Sequence, residues 1–381
     1  MEYKIYTSLE EAKENGIENV REDVYRLWQE CFGDSGSYTD FYFEWVVPYN
    51  RIYTLYKEDK LCSMLHLNPY TFEIWDVEVK ADYIVGVATK AEERRKGYMG
   101  LLINDALDSM YKEEKPFTYL MPAAESIYYP YEFRNVYFQE DWVAKIKKYG
   151  QNNKEQESEA ELVKLGMSDL EERRILTEFT EELLKKYRKY YILRSRKYYE
   201  KLLIEMESGQ GGIAVIKKNG LPIGYAAYML EEGLQIAECL YEPDFEKEVF
   251  QCLYQEFSSD LKAQVNEFRP SIMMRIVNLK VFLEGLTAVE EISIIIEAKD
   301  DRIPGNNKRM LLTLNEDGGC IAESDESPHL YGDIGDLTRL FYGQLGTEET
   351  KALIQSDNKE DIMKILSKIN LYKDVFINDV V

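Results

Sequence analysis

The sequence predicts a chain of mixed helix-and-sheet domains, of the α/β or α+β class, and three observations carry that prediction. Strand-like runs alternate with amphipathic helical stretches along most of the chain. A polar, acidic stretch with little that could pack, Gly150 to Glu161 (GQNNKEQESEAE), interrupts the alternation, and the pattern changes again near Arg269-Pro270. The length of 381 residues fits two to three domains at roughly 150 residues each. The expected domains are therefore residues 1–150, 151–270 and 271–381.

In the first segment, helical periodicity marks Val24 to Cys31 and Tyr38 to Val47, and strand-like runs follow at Arg51 to Tyr56, Leu61 to Glu73 and Glu78 to Thr89. A helix is expected from Gly97 to Tyr111 and a strand from Phe117 to Met121. The middle segment repeats part of this order. Helices span Asp169 to Lys189 and Arg196 to Glu207, a hairpin between Ile213 and Tyr228 turns at Asn219-Gly220, and a strand at Leu234 to Tyr241 leads into a helix near Glu246 to Leu261. The last segment reads as strand Ile272 to Val277, helix Leu279 to Leu286, strands near Ile292 to Ala298 and Lys308 to Asn315, then helices at Asp333 to Tyr342 and Glu348 to Ser356.

Composition narrows the function. Apolar residues are 45%, charged 31% and aromatic 13%, which excludes a disordered or low-complexity chain. A net charge of −23 repels phosphate backbones, so nucleic acid is not the expected partner, whereas the same field concentrates a cationic substrate. Acidity also serves solubility alone. Cys31, Cys62, Cys239, Cys252 and Cys320 are scattered without a C-x-x-C pair, and read as reduced core thiols. With His66 and His329 the only histidines, neither a histidine metal centre nor a Ser-His-Asp hydrolase is well supplied, and no metal is expected. His66 reads as a packed strand residue. The first residues, MEYKIYTSLEEAKENG, lack a signal-peptide core, and no apolar run approaches the ~20 residues of a membrane span, so a cytoplasmic protein is expected.

The most informative stretch is Tyr83 to Ile103, YIVGVATKAEERRKGYMGLLI. A β-branched strand enters a basic, glycine-containing turn and then a helix whose Met99, Leu102, Ile103, Ala106 and Met110 keep a 3.6-residue period. The free N–H groups and positive end of such a helix suit a pyrophosphate, with Gly97 allowing close approach. A solvated charged surface turn is the competing reading. The pattern is neither a P-loop nor a three-glycine dinucleotide fingerprint.

The Val-Ala-Thr strand end followed by Arg-Arg-Lys-Gly resembles motif A of the GNAT acetyltransferases, with Arg94 and Gly97 in its pattern and Met99 where that pattern ends in a small residue. The enhanced-intracellular-survival (Eis-like) branch carries a larger residue there. Four further stretches are similar to that branch: Cys31 to Phe43, Ile127-Tyr128, Met273 to Glu284, and Val375 to Val381. The resemblance implies two tandem GNAT folds followed by a sterol-carrier-like domain, an α+β architecture. Only the first fold would bind acetyl-CoA, because Tyr241-Glu-Pro-Asp replaces the basic turn in the second.

Carried over residue by residue, the resemblance implies that Val87, Ala88 and Thr89 pair with the pantetheine arm. Arg94, Arg95, Lys96, Gly97, Tyr98, Met99 and Gly100 wrap the pyrophosphate, and Ala123 and Ala124 flank the thioester. Tyr128 is the implied acid for the departing thiolate, with Tyr129 and Tyr131 as near alternatives, and the α-carboxylate of Val381 is the implied base. Asp34 would bind a substrate ammonium, although Asp34 or Ser37 also reads as a cap for the following helix. The implied activity is N-acetylation of an aminoglycoside-like or polyamine-like cation by a homo-oligomer, a hexamer in the family. A catalytically silent acyl-CoA-binding regulator and a lipid-binding protein are the rival readings.

Overall fold

The computed structural model describes residues 3–152, 159–231, 233–261 and 271–377. The chain forms two compact units, one drawing on the described residues up to Cys31, on Tyr49–Tyr137 and on Ser271–Val375. The other draws on Phe32–Pro48, on the described residues from Phe138 to Leu261, and on Phe376 and Ile377.

The first unit is built on a mixed sheet. Its strands are β1 (Tyr3–Tyr6), β2 (Arg51–Lys57), β3 (Lys60–Ile74), β4 (Val77–Thr89), β5 (Phe117–Leu120), β6 (Arg134–Phe138) and β7 (Ser271–Ile276). They lie in the order β1-β2-β3-β4-β5-β7-β6. The pairs from β1 to β4 are antiparallel, and β4 and β5 are parallel. Two helices each bury one apolar stripe. In α1 (Val20–Phe32) the buried side chains Val20, Val24, Leu27 and Trp28 share one face, the stripe that a packed helix must present. In α2 (Tyr98–Lys112) the buried residues are Leu102, Ile103, Ala106, Leu107 and Met110, close to the period read in the sequence. Each large apolar side chain so covered contributes about 1.5–3 kcal/mol.

The segment after residue 270 does not stand apart from this sheet. Ile272, Met273, Met274 and Ile276 are all fully buried, and Met273 to Ile276 pair antiparallel with Leu120 to Phe117, which places β7 inside the first sheet. A continuous apolar run interrupted only by Arg275 suits a strand covered on both faces. Gln344 adds a hydrogen bond from its side-chain amide to the Val136 carbonyl, 3.1 Å. A smaller sheet, with Gly318–Glu323, Arg309–Asn315, Ile292–Lys299 and Leu330–Asp333 in that order, completes the unit. The two units thus divide the chain differently from the three segments expected from composition. A strand inserted between β5 and β6 ties the last segment to the first.

The second unit has an antiparallel sheet in the order Gln235–Tyr241, Leu221–Met229, Gly212–Lys218, Glu161–Lys164. The hairpin turns at Asn219 and Gly220, whose φ of +53° and +78° are the pair a tight primed turn requires. Helices Leu170–Tyr187 and Arg196–Ser208 cover one face through Leu176, Leu184, Tyr199 and Leu203. Helices Trp142–Asn152 and Glu246–Phe257 cover the other through Trp142, Ile146 and Phe250. The expected linker is shorter than read. Gly150 lies within a helix, against Tyr254, where a Cβ would stand 2.0 Å from the ring, and residues 153–158 fall outside the described residues. The glycine that looked like a linker signal is selected by packing.

Among the cysteines, Cys62, Cys239 and Cys252 are buried as expected, but Cys31 is half-buried and Cys320 exposed. Cys320 sits on the outermost strand of the smaller sheet, where one side of the strand faces solvent. It is therefore not a core thiol. Among the described residues no helix is long and apolar enough to cross a membrane.

Candidate active site

The site begins where two parallel strands part. Asp82 and Tyr83 of β4 pair with Thr118 and Tyr119 of β5, and there the ladder between them ends, although β4 continues to Thr89. The backbone from Ile84 to Thr89 is thus left unpaired on the side toward β5. A bulge reinforces the divergence. Between Met64↔Ala88 and His66↔Val85, β4 spends three residue steps against two on β3, and Gly86 takes φ +60°. A glycine in this conformation is the usual way a strand absorbs an extra residue. Gly86 is also needed for space, because a Cβ would stand 2.6 Å from the Trp28 ring and 3.2 Å from His66.

His66 fills the space beneath the bulge, its ring centroid 5.4 Å from that of Trp28. Complete burial pushes its imidazole down to about 3, so it is neutral at pH 7. This agrees with the reading of His66 as a packed strand residue.

From Thr89 the chain enters the basic turn. Val87 and Thr89 are half-buried and Ala88 buried, whereas Arg94, Arg95, Lys96 and Gly97 are exposed. The Arg94 guanidinium donates from Nε to the Thr89 carbonyl, 3.1 Å, which ties the turn back to the strand end, and Cys31 Sγ lies 3.9 Å from the same oxygen. Burial raises the Cys31 thiol, so it stays protonated there. Lys96 pairs with Glu93 at 2.8 Å. Arg95 and Gly97 both have positive φ, +64° and +83°, and Gly97 is the cap of α2 without any side-chain hydrogen bond to the helix. The first turn of α2, Tyr98, Met99 and Gly100, carries no acidic residue. An uncapped helix start flanked by three cations is chemically an anion site.

The helix Glu246–Phe257 of the second unit provides the contrast. Its first turn carries Glu246 and Glu248, and Glu246 already accepts from Tyr149 and Tyr241 and pairs with Lys145. The acids in that first turn offset the positive end of the helix and repel phosphate.

Past β5, Pro122 is buried while Ala123 and Ala124 are exposed. Two short 3₁₀ turns follow, Glu125–Ile127 and Tyr129–Tyr131, and Tyr128 is the hinge between them. Tyr128 is 9% exposed, packed edge-on against Phe133. Burial pushes its phenol up to about 12, with Tyr131 adding to the effect. By contrast Tyr129 is exposed and donates to Glu125 at 2.7 Å, and Tyr131 lies over the start of α2, where a Cβ on Gly100 would stand 2.6 Å from its hydroxyl oxygen. Of the three tyrosines, Tyr128 is the buried one.

Asp34 belongs to the second unit and is exposed. It does not cap the next helix, and neither does Ser37. Ser35 accepts from the Tyr38 backbone, and Ser37 donates to the Ser208 carbonyl at 2.8 Å. Val381 lies outside the described residues. In the second unit, Phe376 is clasped between the guanidiniums of Arg188 and Arg194, 5.3 and 5.2 Å from its ring, and Arg194 forms a fully buried ion pair with Glu238. Sequence reasoning missed Gly86, whose signal was a lone glycine in a β-branched strand, and the arginines that hold the Tyr128 turn, which carry no local signal. No group of three or more His, Cys, Asp or Glu among the described residues is placed to hold a metal ion.

Residues 15–136 match the sequence model of the acetyltransferase (GNAT) domain, the stretch that contains β2 to β5, the basic turn and Tyr128. No curated protein matches the chain. Among solved structures, a probable N-acyltransferase of unknown function from Enterococcus faecalis is similar along 99% of this chain and 100% of its own, with TM-score 0.76 and 17% identity. A GCN5-related N-acetyltransferase from Anabaena variabilis covers 100% of both chains at TM-score 0.73 and 16% identity. Eis1 from Mycobacterium abscessus also covers 100% of both, at TM-score 0.65 and 11% identity. The fold is the mixed α/β GNAT acyltransferase fold, and the chain carries a GNAT acetyltransferase domain.

Proposed function

We propose that the protein is an N-acetyltransferase that moves the acetyl group of acetyl-CoA to a primary amine of a cationic small molecule of aminoglycoside or polyamine kind. The observation that carries this reading is the junction in the first unit: a strand edge left open by the parting of β4 and β5, ending at an uncapped helix start ringed by Arg94, Arg95 and Lys96. A pantetheine arm supplies amides that extend a strand edge, and a pyrophosphate supplies the anion that a helix N-terminus lacks. Val87, Ala88 and Thr89 are assigned to the arm, and Arg94 to Gly100 to the pyrophosphate. Ala123 and Ala124 are exposed and without bulk, which suits a thioester between them and the strand.

The chemistry needs a neutral amine, proximity to the thioester, and a proton donor for the thiolate. Tyr128 is assigned as donor. A phenol near 12 is protonated throughout the working range. Burial that raises a phenol raises a thiol placed beside it as well, so a departing thiolate there is a stronger base than in water. The base is assigned to the Val381 α-carboxylate and a substrate-ammonium role to Asp34 on the resemblance alone. The tandem arrangement, with a second GNAT-like fold that binds no cofactor, the sterol-carrier-like character of the last segment and a hexameric assembly are proposals of the same origin. The acids at the start of helix Glu246–Phe257 support the second fold's lack of a cofactor site.

The test is thiol release from acetyl-CoA in the presence of a panel of polyamines, aminoglycosides and simple amines, with product mass spectrometry. Amine-dependent release with a mass gain of one acetyl group on a polycation is expected. CoA binding without turnover on any amine would replace the enzyme with a silent acyl-CoA-binding protein.

A further inference from the structure

Three consecutive backbone carbonyls directly after Tyr128 are each held by a different arginine. Arg134 Nη1 donates to the Tyr129 carbonyl at 3.2 Å, Arg302 Nη2 to the Pro130 carbonyl at 3.0 Å, and Arg275 Nη1 to the Tyr131 carbonyl at 3.2 Å. Only Arg134 lies near the turn in sequence. Arg275 stands in the middle of β7, fully buried, and its other terminal nitrogen forms a two-pronged pair with Asp300, 2.8 and 2.9 Å to the two carboxylate oxygens. Asp300 also accepts from the backbone amides of Arg302 and Ile303, at 2.9 and 3.0 Å, and from the Asn306 side-chain amide at 2.8 Å. One buried carboxylate therefore holds the Arg275 guanidinium and anchors the backbone from which Arg302 reaches the turn. Arg302 also lies 4.9 Å over the Tyr131 ring, whose hydroxyl is against Gly100 in the first turn of α2.

A buried arginine in a strand otherwise filled with Ile and Met is costly to desolvate, and its pairing with Asp300 only offsets that cost. Packing alone would be served by another apolar residue at position 275. What the guanidinium adds is direction: charged donors fix the carbonyls of a short turn that no sheet or long helix would otherwise hold. The peptide units so fixed lie immediately after the hinge residue Tyr128.

We infer that Arg275, Asp300 and Arg302 are positioning residues for the acetyl transfer, holding the turn that carries the Tyr128 phenol from the last segment of the chain. This rests on the assignment of Tyr128 as proton donor. The catalytic turn is thereby incomplete without residues 271–303. Misplacing a catalytic group by about 1 Å costs up to ~100-fold, and loosening one of three contacts should cost less.

Arg302 is the residue to test because it is exposed, so its removal leaves the buried pair and the fold in place. In Arg302→Ala, kcat should fall about tenfold, with calorimetric CoA affinity and thermal midpoint near those of the parent. Arg302→Lys, which keeps a donor for the Pro130 carbonyl, should recover most of the loss. Tyr128→Phe and the double variant Tyr128→Phe/Arg302→Ala complete a cycle. A residue that acts through Tyr128 adds no further loss once the phenol is gone, so the double variant should match Tyr128→Phe within about twofold. Equal, multiplying losses in the two backgrounds would overturn the positioning role, as would an unchanged kcat in Arg302→Ala beside an inactive Tyr128→Phe. Full activity of Tyr128→Phe would instead overturn the proton-donor assignment, separately from the behaviour of Arg302.

Discussion

Gly86 faces the Trp28 ring at a distance that admits no side chain, a Cβ there standing 2.6 Å from the indole. The same residue takes φ +60° at the bulge of β4. Two physical penalties therefore meet in Gly86→Ala: left-handed backbone for an L-residue, about 1–2 kcal/mol, and overpacking of about 1–3 kcal/mol. Urea denaturation should show a loss of roughly 2–5 kcal/mol. Gly16 is the control, with φ +95° and nothing within 4 Å of a Cβ, so that Gly16→Ala should cost only the backbone part, about 1–2 kcal/mol. Equal losses at the two positions would show that the Trp28 contact relaxes freely.

Much of this architecture is legible in the chain because its signals are local. The period of α2, the primed turn at Asn219-Gly220 and the end of β4 at Thr89 all stand where the sequence places them. Gly86 was legible as a residue but not as a bulge, since Ile84, Val85 and Val87 around it favour continuous strand. The insertion of β7 beside β5 was not legible. Residues 120 and 273 pair although far apart in the sequence, and no periodicity within either strand names its neighbour. For the same reason the arginines on the Tyr128 turn were invisible, because a carbonyl's partner is set by tertiary placement alone. The family resemblance offers Tyr128, Tyr129 and Tyr131 for the proposed donor role, and only the fold shows that Tyr128 alone of the three is buried.

His66 makes stability depend on pH in a defined direction. Its folded value near 3 is below the ordinary 6.5, so the unfolded chain binds the extra proton first. The stability from burying a neutral imidazole is complete above about pH 6.5 and is lost as pH falls through that window toward 3, roughly 2 kcal/mol by pH 5. Comparison with His66→Gln by urea denaturation between pH 8 and 5 isolates this part from the carboxylates. The parent should lose about 2 kcal/mol more than the variant over that range, and parallel curves would mean that His66 is protonated in the native state.

The Tyr128 phenol has a signature in the pH profile of turnover. Only the protonated phenol donates, so activity would fall as pH rises through its pKa. An ordinary tyrosine would start that fall near pH 10, whereas a phenol pushed up to about 12 leaves activity flat beyond it. As pH rises from 6 to 9, kcat/KM should climb while the substrate amine loses its proton, and no falling limb should be seen up to pH 10.5. A falling limb near pH 9.5 that disappears in Tyr128→Phe would place the phenol at or below its ordinary value.

Gly97 is where the cofactor reading can be tested with the smallest change of shape. Its φ of +83° strains any side chain, yet a Cβ there meets nothing within 4 Å, so substitution brings a backbone penalty without a clash. Asn and Asp tolerate left-handed backbone better than other residues and are nearly identical in size. Gly97→Asn therefore measures the strain, and Gly97→Asp adds one negative charge at the cap of α2, beside Arg95 and Lys96. An acid at a helix start is favourable in isolation, so Gly97→Asp should fold at least as well as Gly97→Asn. If a pyrophosphate occupies that helix start, the added carboxylate competes with it for the same N–H groups and repels it. The loss of a charge-assisted contact, about 1.5–3 kcal/mol, then appears as a ten- to hundredfold weaker CoA affinity than in Gly97→Asn. Isothermal calorimetry with CoA on both variants, at one fixed salt concentration, reads the difference directly. Equal CoA affinities in the two variants would mean that no anion sits at this helix start, and the basic turn would return to being a solvated surface loop.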